Sequence, residues 1–324
     1  MSAFVQRREL MLGLAALSSA ARIAGAATYP SRPVRILVAT SAGGGTDLVA
    51  RFIAQWLSER LGQSFVVENR SGGGNNIGTE MAARSPADGY TLFMANTVNT
   101  INNSLYPKLS YNFIADFAPV ANVMSTPLLV LVHPSLPSKD AAELIALAKA
   151  SPGKLNLASG GVGSTGHMSA ELLQMMAGIR FTHVPYRGEA LALTDLIAGQ
   201  AQLMLSTTGS SLQYVRTGTL RALATTMEDR VSELPDVPPL SMTVPDYRAS
   251  GWNGLCAPKG TPAEIITLLN REVNLAMDDP AIKERIVSLG GIALPGSPED
   301  YGRTIAADTE KWATVVKFSG AQAN

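Results

Sequence analysis

From Val34 onward, short apolar runs alternate with segments whose apolar residues recur every three to four positions. Val34-Arg35-Ile36-Leu37-Val38-Ala39 reads as a strand. The segment 47–61 follows as a helix, with Val49, Phe52, Ile53, Trp56, Leu57 and Leu61 on one face and Gly62 closing it. Phe65-Val66-Val67-Glu68-Asn69, a Gly-rich turn at 71–74, a helix near 76–84 and the run Tyr90 to Ala95 continue the series. A polar, proline-interrupted stretch at about 106–119 leads to Val120-Ala121-Asn122-Val123 and then Leu128 to Val132. The next series runs helix 138–150, strand 155–158, helix 167–177, strand 181–184, helix 189–198, strand 203–205, helix 209–216 and strand 220–224. Helical patterns at 262–277, 280–289 and 298–318 finish the chain. This alternation predicts an α/β fold with parallel sheets covered by helices. Extended runs at 127–132 and 250–257 are natural crossings between two domains. The expected division is therefore a discontinuous first lobe, 28–126 with 251–324, and a second lobe, 127–250.

Two of the strand-to-helix turns are rich in glycine. The first is Ser41-Ala42-Gly43-Gly44-Gly45-Thr46-Asp47, and the second is Ser159-Gly160-Gly161-Val162-Gly163-Ser164-Thr165-Gly166-His167. Glycine lets backbone approach a ligand closely, and the helix that follows offers unpaired N–H groups at the positive end of its dipole. Each turn is thus an anion site in outline, and the pair suggests one anionic ligand held from two sides. Thr46 and Asp47 also have the character of plain helix caps.

The first 27 residues read as a secretory signal peptide. Arg7 and Arg8 precede the small and apolar run Leu10 to Ala21, and Ala24-Gly25-Ala26 resembles a cleavage site. The paired arginines fit a twin-arginine signal, although Glu9 beside them leaves the export route open. Loss of residues 1–26 takes the balance from 26 basic and 26 acidic residues to 23 and 25, a net charge of −2. A near-neutral chain without a basic patch argues against nucleic acid as a partner. Cys256 is the single cysteine, lies in an apolar stretch and reads as a buried thiol.

Catalytic material is thin. Gly161-Val162-Gly163-Ser164-Thr165-Gly166 matches the G-x-G-x-x-G dinucleotide fingerprint, but Tyr186-Arg187 stands where the ribose-binding acid belongs. An exported oxidoreductase using Gly161–Gly166 is the alternative reading. There is no nucleotide P-loop and no G-x-S-x-G elbow. No metal-ligand cluster accompanies the three histidines, His133, His167 and His183. Ser164 and His167, three residues apart at a helix start, look like a cap. No metal and no cofactor are expected.

Many short motifs resemble the Bug family of tricarboxylate-binding receptors. Thr28-Tyr29-Pro30-Ser31-Arg32-Pro33, Gly43-Gly44-Gly45-Thr46-Asp47, Val67-Glu68-Asn69-Arg70 and Ala87-Asp88-Gly89-Tyr90-Thr91-Leu92 are similar to it. So are Asp116-Phe117-Ala118-Pro119-Val120, Gly166-His167-Met168, Val184-Pro185-Tyr186-Arg187-Gly188 and Leu234-Pro235-Asp236-Val237-Pro238. The resemblance implies a periplasmic receptor and no enzyme. Its fold would be that of a type II periplasmic binding protein, two α/β lobes with a ligand cleft and two crossing strands. It would be a monomer that hands a small carboxylate to the membrane permease of a tripartite tricarboxylate transporter. It also implies that backbone N–H groups, hydroxyls and water, and not an arginine, hold the carboxylate. On that basis the ligand-binding residues are expected to be Thr40, Ser41, Ala42, Gly43, Gly44, Thr46 and Asp47 in the first loop. Asn96 and Thr97 would join them, facing Ser159, Gly160, Gly163, Ser164, Thr165 and His167 in the second loop. Pro185, Tyr186 and Ser206 complete the expected set. The chain departs from many relatives at Val38-Ala39-Thr40-Ser41-Ala42 and at Ser206, where they carry an acid. Loss of that acid removes a partner for an ammonium group, so the expected ligand is an aromatic or aliphatic dicarboxylate in preference to an amino acid.

Overall fold

The computed structural model describes residues 29–323. The expected signal peptide falls on 1–27, outside the described residues. In chain order the first elements are β1 (Val34–Val38), α1 (Gly45–Leu61), β2 (Phe65–Asn69), α2 (Asn76–Ala83), β3 (Thr91–Asn96), α3 (Thr97–Leu105), α4 (Phe113–Asp116) and β4 (Phe117–Thr126). Then come β5 (Leu128–Val132), α5 (Ala141–Ala150), β6 (Asn156–Ser159), α6 (Thr165–Ala177), β7 (Thr182–Pro185), α7 (Glu189–Ile197), β8 (Leu203–Thr207), α8 (Thr208–Arg216) and β9 (Arg221–Thr225). The last are β10 (Gly251–Pro258), α9 (Ala263–Asp278), α10 (Pro280–Ser288), β11 (Ile292–Ala293) and α11 (Pro298–Ser319).

These strands make two sheets, ordered β11-β4-β10-β3-β1-β2 and β7-β6-β8-β5-β9. The β1 strand runs parallel to β2 and β3, while β10 is antiparallel to β3 and β4. In the second sheet β6 is parallel to β7 and β8, and β5 is antiparallel to β8 and β9. The apolar runs are nearly continuous because both faces of each sheet are covered. In the first sheet, Val49, Ile53, Leu57, Leu269 and Val273 from α1 and α9 pack on one face. Phe113, Trp252, Tyr301 and Ile305 sit with Leu37 and Phe93 on the other.

The chain crosses between sheets at Pro127, a single residue between β4 and β5. Proline lacks the N–H that a continuous ladder needs, so the strand divides there. The return passage enters β10 at Gly251. Two further contacts join the lobes on either side of these crossings. Leu105 and Ile101 of α3 pack under Gly163, and the backbone of Leu289-Gly290 meets Gly209 of α8. The second half of α11 also reaches the second lobe, where Trp312, Val315 and Val316 share a core with Met168, Leu172 and Tyr247.

Helix α3 has no counterpart in the sequence-based expectation, and the reason is its buried face. Its buried face mixes Ile101 and Leu105 with Thr97, Asn99, Thr100 and Asn102, so the apolar stripe Val98-Ile101-Leu105 is short and diluted by polar residues. Its start is fixed instead by a capping box. The Asn96 side chain accepts the Val98 amide while Asn99 accepts the Asn96 amide. The stretch read as irregular at 106–119 likewise holds α4 and the first residues of β4. Cys256 is fully buried, and burial pushes its thiol up to about 12.

Candidate functional site

A cavity of about 360 Å³ opens between the lobes. Five helices start at its wall: α1 at Gly45, α3 at Thr97, α6 at Thr165, α7 at Glu189 and α8 at Thr208. The first four of those residues line it, as do Gly209 and Ser210 in the first turn of α8. Each helix start presents N–H groups without intrahelical partners and a positive dipole end. Leu48, Val98, Met124, Trp252 and Leu289 supply apolar wall between the polar ends. Among the described residues no lysine, arginine or histidine lines the cavity, and Glu189 is the one charged side chain there.

On the first lobe the polar groups are pre-set as donors. Thr46 Oγ1 accepts from Asn96 Nδ2 at 3.2 Å and from Asn253 Nδ2 at 2.9 Å. A hydroxyl oxygen has two lone pairs, so both are filled and its own proton is left to donate. Thr97 Oγ1 accepts the Trp252 amide at 2.9 Å, a bond across to β10. The glycine loop before α1 is held from behind by Asp47. That carboxylate, almost fully buried, accepts from Gly43 N at 2.8 Å, Asn69 Nδ2 at 2.9 Å and Arg51 Nε at 2.9 Å. Burial pushes Asp47 up, but the hydrogen bonds from Arg51, Gly43 and Asn69 outweigh it and hold the group below the usual carboxylate range.

On the second lobe, Glu189 draws the donors together. Its carboxylate accepts from Ser206 Oγ and Thr207 N, each at 2.7 Å, from Thr207 Oγ1 at 3.2 Å and from Ser210 Oγ at 3.3 Å. The second glycine loop lies behind this group. Gly160 and Gly161 back onto the Glu189 amide and the Tyr186 carbonyl, where a Cβ would sit tightly at 3.1 and 3.2 Å. Ser159 Oγ meets His183 Nε2 at 2.6 Å, and His183 stacks on His167 with ring centroids 3.8 Å apart. Gly163 donates to His167 Nδ1 at 3.2 Å. Burial, reinforced by the stacked His167 ring, pushes His183 down to about 4.

Of the expected site residues, Thr46, Asn96, Thr97 and Thr165 line the cavity together. Ser41, Ala42, Gly43 and Gly44 form the exposed turn beside it. Thr40 carries a buried hydroxyl without a partner. Gly44 is the cap residue of α1 and no side chain caps that helix, so Thr46 and Asp47 lie inside its first turn. Ser164 caps α6 by accepting the His167 amide at 3.3 Å, and Ser159, Gly160, Gly163 and His167 support the loop from within. Pro185 ends β7, and the Tyr186 hydroxyl turns away to donate to Asp195 at 2.7 Å. Ser206 is fully buried beneath Glu189. Glu189, Thr207, Ser210, Trp252 and Asn253 line the cavity without having been expected there. The hydroxyl-rich run Ser206-Thr207-Thr208-Gly209-Ser210-Ser211 at a buried strand end was the available signal for two of them, Thr207 and Ser210.

Two α/β lobes, a double crossing and a cleft ringed by helix starts define a periplasmic-type solute-binding protein. The chain belongs to the TctC family, the tripartite tricarboxylate transporter family receptors, whose model matches residues 49–320. Protein BugT of Bordetella pertussis is 37% identical over 298 residues, covering 91% of each chain. Among solved structures, Rpa4515 of R. palustris with adipate superposes with a TM-score of 0.80 at 37% identity, covering 90% of this chain and 98% of that one. MatC of Rhodopseudomonas palustris with bound malate gives 0.77 at 31% identity, covering 89% and 100%. The family is one of solute-binding receptors and not of enzymes, which sets aside the dinucleotide reading of Gly161–Gly166.

Proposed function

We propose that the protein is a periplasmic receptor that grips a small carboxylate between its lobes and delivers it, as a monomer, to the permease of a tripartite tricarboxylate transporter. Residues 1–27 are the signal peptide on this reading. The lobes are 28–126 with 251–324, and 127–250. The observation that carries the proposal is the convergence of five helix starts on a cavity with no cationic side chain. Such a wall stabilises an anion through N–H groups and hydroxyls without an arginine. A carboxylate would lie against Thr46, Thr97 and the glycine turn, with its apolar body along Trp252 and Leu289.

For the far end, two observations point in different directions. A second carboxylate is supported by the adipate and malate named with two relatives. The argument from Ser206, however, loses its premise, because the Glu189 carboxylate stands 2.7 Å from that hydroxyl and restores an acid to this position. The test is a thermal-shift and calorimetry screen of mono-, di- and tricarboxylates against their neutral amides. Carboxylates should raise the melting temperature while the amides do not. Equal response to the amides would refute an anion site.

A further inference from the structure

We propose that Glu189 sets the specificity at the far end of the cleft, and that it selects a carboxylate bearing an ammonium group over a dicarboxylate. The inference rests on the carboxylate reading above and names the ligand's other end. It follows from counting hydrogens. Ser206, Thr207 and Ser210 have one hydroxyl proton each, and all three hydroxyls lie within hydrogen-bond distance of the Glu189 carboxylate, as does the Thr207 amide. A second ligand carboxylate arriving here meets a like charge whose neighbouring side-chain donors are already engaged. An ammonium group meets the reverse: a carboxylate and hydroxyl lone pairs able to accept its protons.

The opposite wall has the complementary character. Thr46 has both lone pairs filled by Asn96 and Asn253 and keeps a proton to give. The cavity therefore offers a hydroxyl donor at Thr46 and a carboxylate acceptor at Glu189, the polarity of an amino carboxylate. No other charged side chain lines it to blur that polarity.

The experiment compares wild type with Glu189→Gln by calorimetry. The probes are succinate, glutarate and adipate, and the amino carboxylates 4-aminobutanoate, 5-aminopentanoate, 6-aminohexanoate, aspartate and glutamate. In wild type, at least one amino carboxylate should bind about 10-fold or more tightly than every diacid in the set. Glu189→Gln should weaken the amino carboxylate and tighten the diacids, each by roughly 10-fold. These opposite shifts separate a charge role from a structural one, since a mere tie between α7 and α8 would move both ligand classes in the same direction. Tighter diacid binding in wild type, or diacid binding unchanged or weakened in Glu189→Gln, overturns the proposal. If neither protein responds to any carboxylate, the carboxylate reading itself falls, and this inference with it.

Discussion

Gly209→Ala tests whether the contact between Gly209 and Leu289-Gly290 belongs to the ligand-gripping state. Gly209 lies in the first turn of α8, and a Cβ built there would stand 2.3 Å from the Leu289 carbonyl oxygen and 2.9 Å from its carbon. Those are backbone atoms, so no side-chain rotation relieves the clash. Restoring a separation of 3.0–3.4 Å requires the lobes to part by about 0.7–1.1 Å at the cavity rim. Overpacking of this kind costs about 1–3 kcal/mol, which corresponds to roughly 5- to 150-fold in Kd if the contact forms only around ligand. Within α8, alanine is favoured over glycine by about 0.5–1 kcal/mol, so the ligand-free protein should melt no earlier than wild type. Gly302→Ala in α11 is the control, since its Cβ meets Pro119 Cγ at an ordinary 3.5 Å. Calorimetry with the tightest carboxylate from the screen gives the affinity, and small-angle scattering gives the lobe separation. A Gly209→Ala affinity within about twofold of wild type would refute the reasoning.

Three further outcomes are expected. Thr165→Val, at the cavity wall, should weaken carboxylate binding by about 1–3 kcal/mol, whereas Ser164→Ala should lower stability by about 1 kcal/mol through loss of the α6 cap and leave affinity unchanged. The reverse pattern in melting and calorimetry would exchange their roles. His183, held near 4 in the folded protein against about 6.5 when unfolded, gives stability that is complete above pH 6.5 and declines as pH falls towards 4. The unfolded chain takes up the proton first, so denaturation midpoints should drop across that window, and His183→Gln should flatten the slope; equal slopes would exclude His183 as the source. Asp47→Ala leaves the Gly43 amide without its acceptor and Asn69 Nδ2 with the Thr40 carbonyl alone, so it should destabilise by about 2–4 kcal/mol and weaken binding as the glycine turn loosens. An unchanged melting temperature would refute that.

The βα alternation was legible because buried parallel strands must be apolar on both faces, and runs such as Val34 to Ala39 and Leu128 to Val132 leave little choice. The helices with apolar stripes were legible for the same reason. Helix α3 was not, because beside Ile101 and Leu105 it buries threonines and asparagines that bond to the strand end and to the turn at Gly74. Its signal was Asn96 and Asn99 at capping-box spacing. The two glycine turns lead into α1 and α6, whose Thr46 and Thr165 line the cleft. What they concealed was the division of labour. Ser159, Gly163, Ser164 and His167 maintain the shape of the second turn, while Glu189 and the start of α8 line the cavity. Glu189 looked like an ordinary acid at a helix start. Its meaning depends on Ser206 and Thr207, 17 and 18 residues away, brought beside it because β6, which feeds the turn packed against Glu189, pairs with β8.

The absence of a cationic side chain bears on how such a cleft would respond to its ligand. An arginine fixed on one lobe would bind a carboxylate in the open and closed arrangements alike, and a ligand that binds both equally shifts nothing. Helix starts distributed over both lobes act differently. On the proposed mechanism, those on α1 and α3 would engage the ligand first, and those on α6, α7 and α8 would contribute only once the lobes approach. The second set supplies differential affinity, and moving a population from mostly open to mostly closed needs roughly 10⁴-fold of it. With the proposed role of Glu189 this division would be sharper, because a ligand whose far end carries protons would gain that contact only on closure. A monocarboxylate lacking any far-end donor would then occupy the first lobe yet leave the equilibrium unmoved. Such a ligand should show binding by calorimetry with no compaction in small-angle scattering, and compaction equal to that seen with a two-ended ligand would contradict the division.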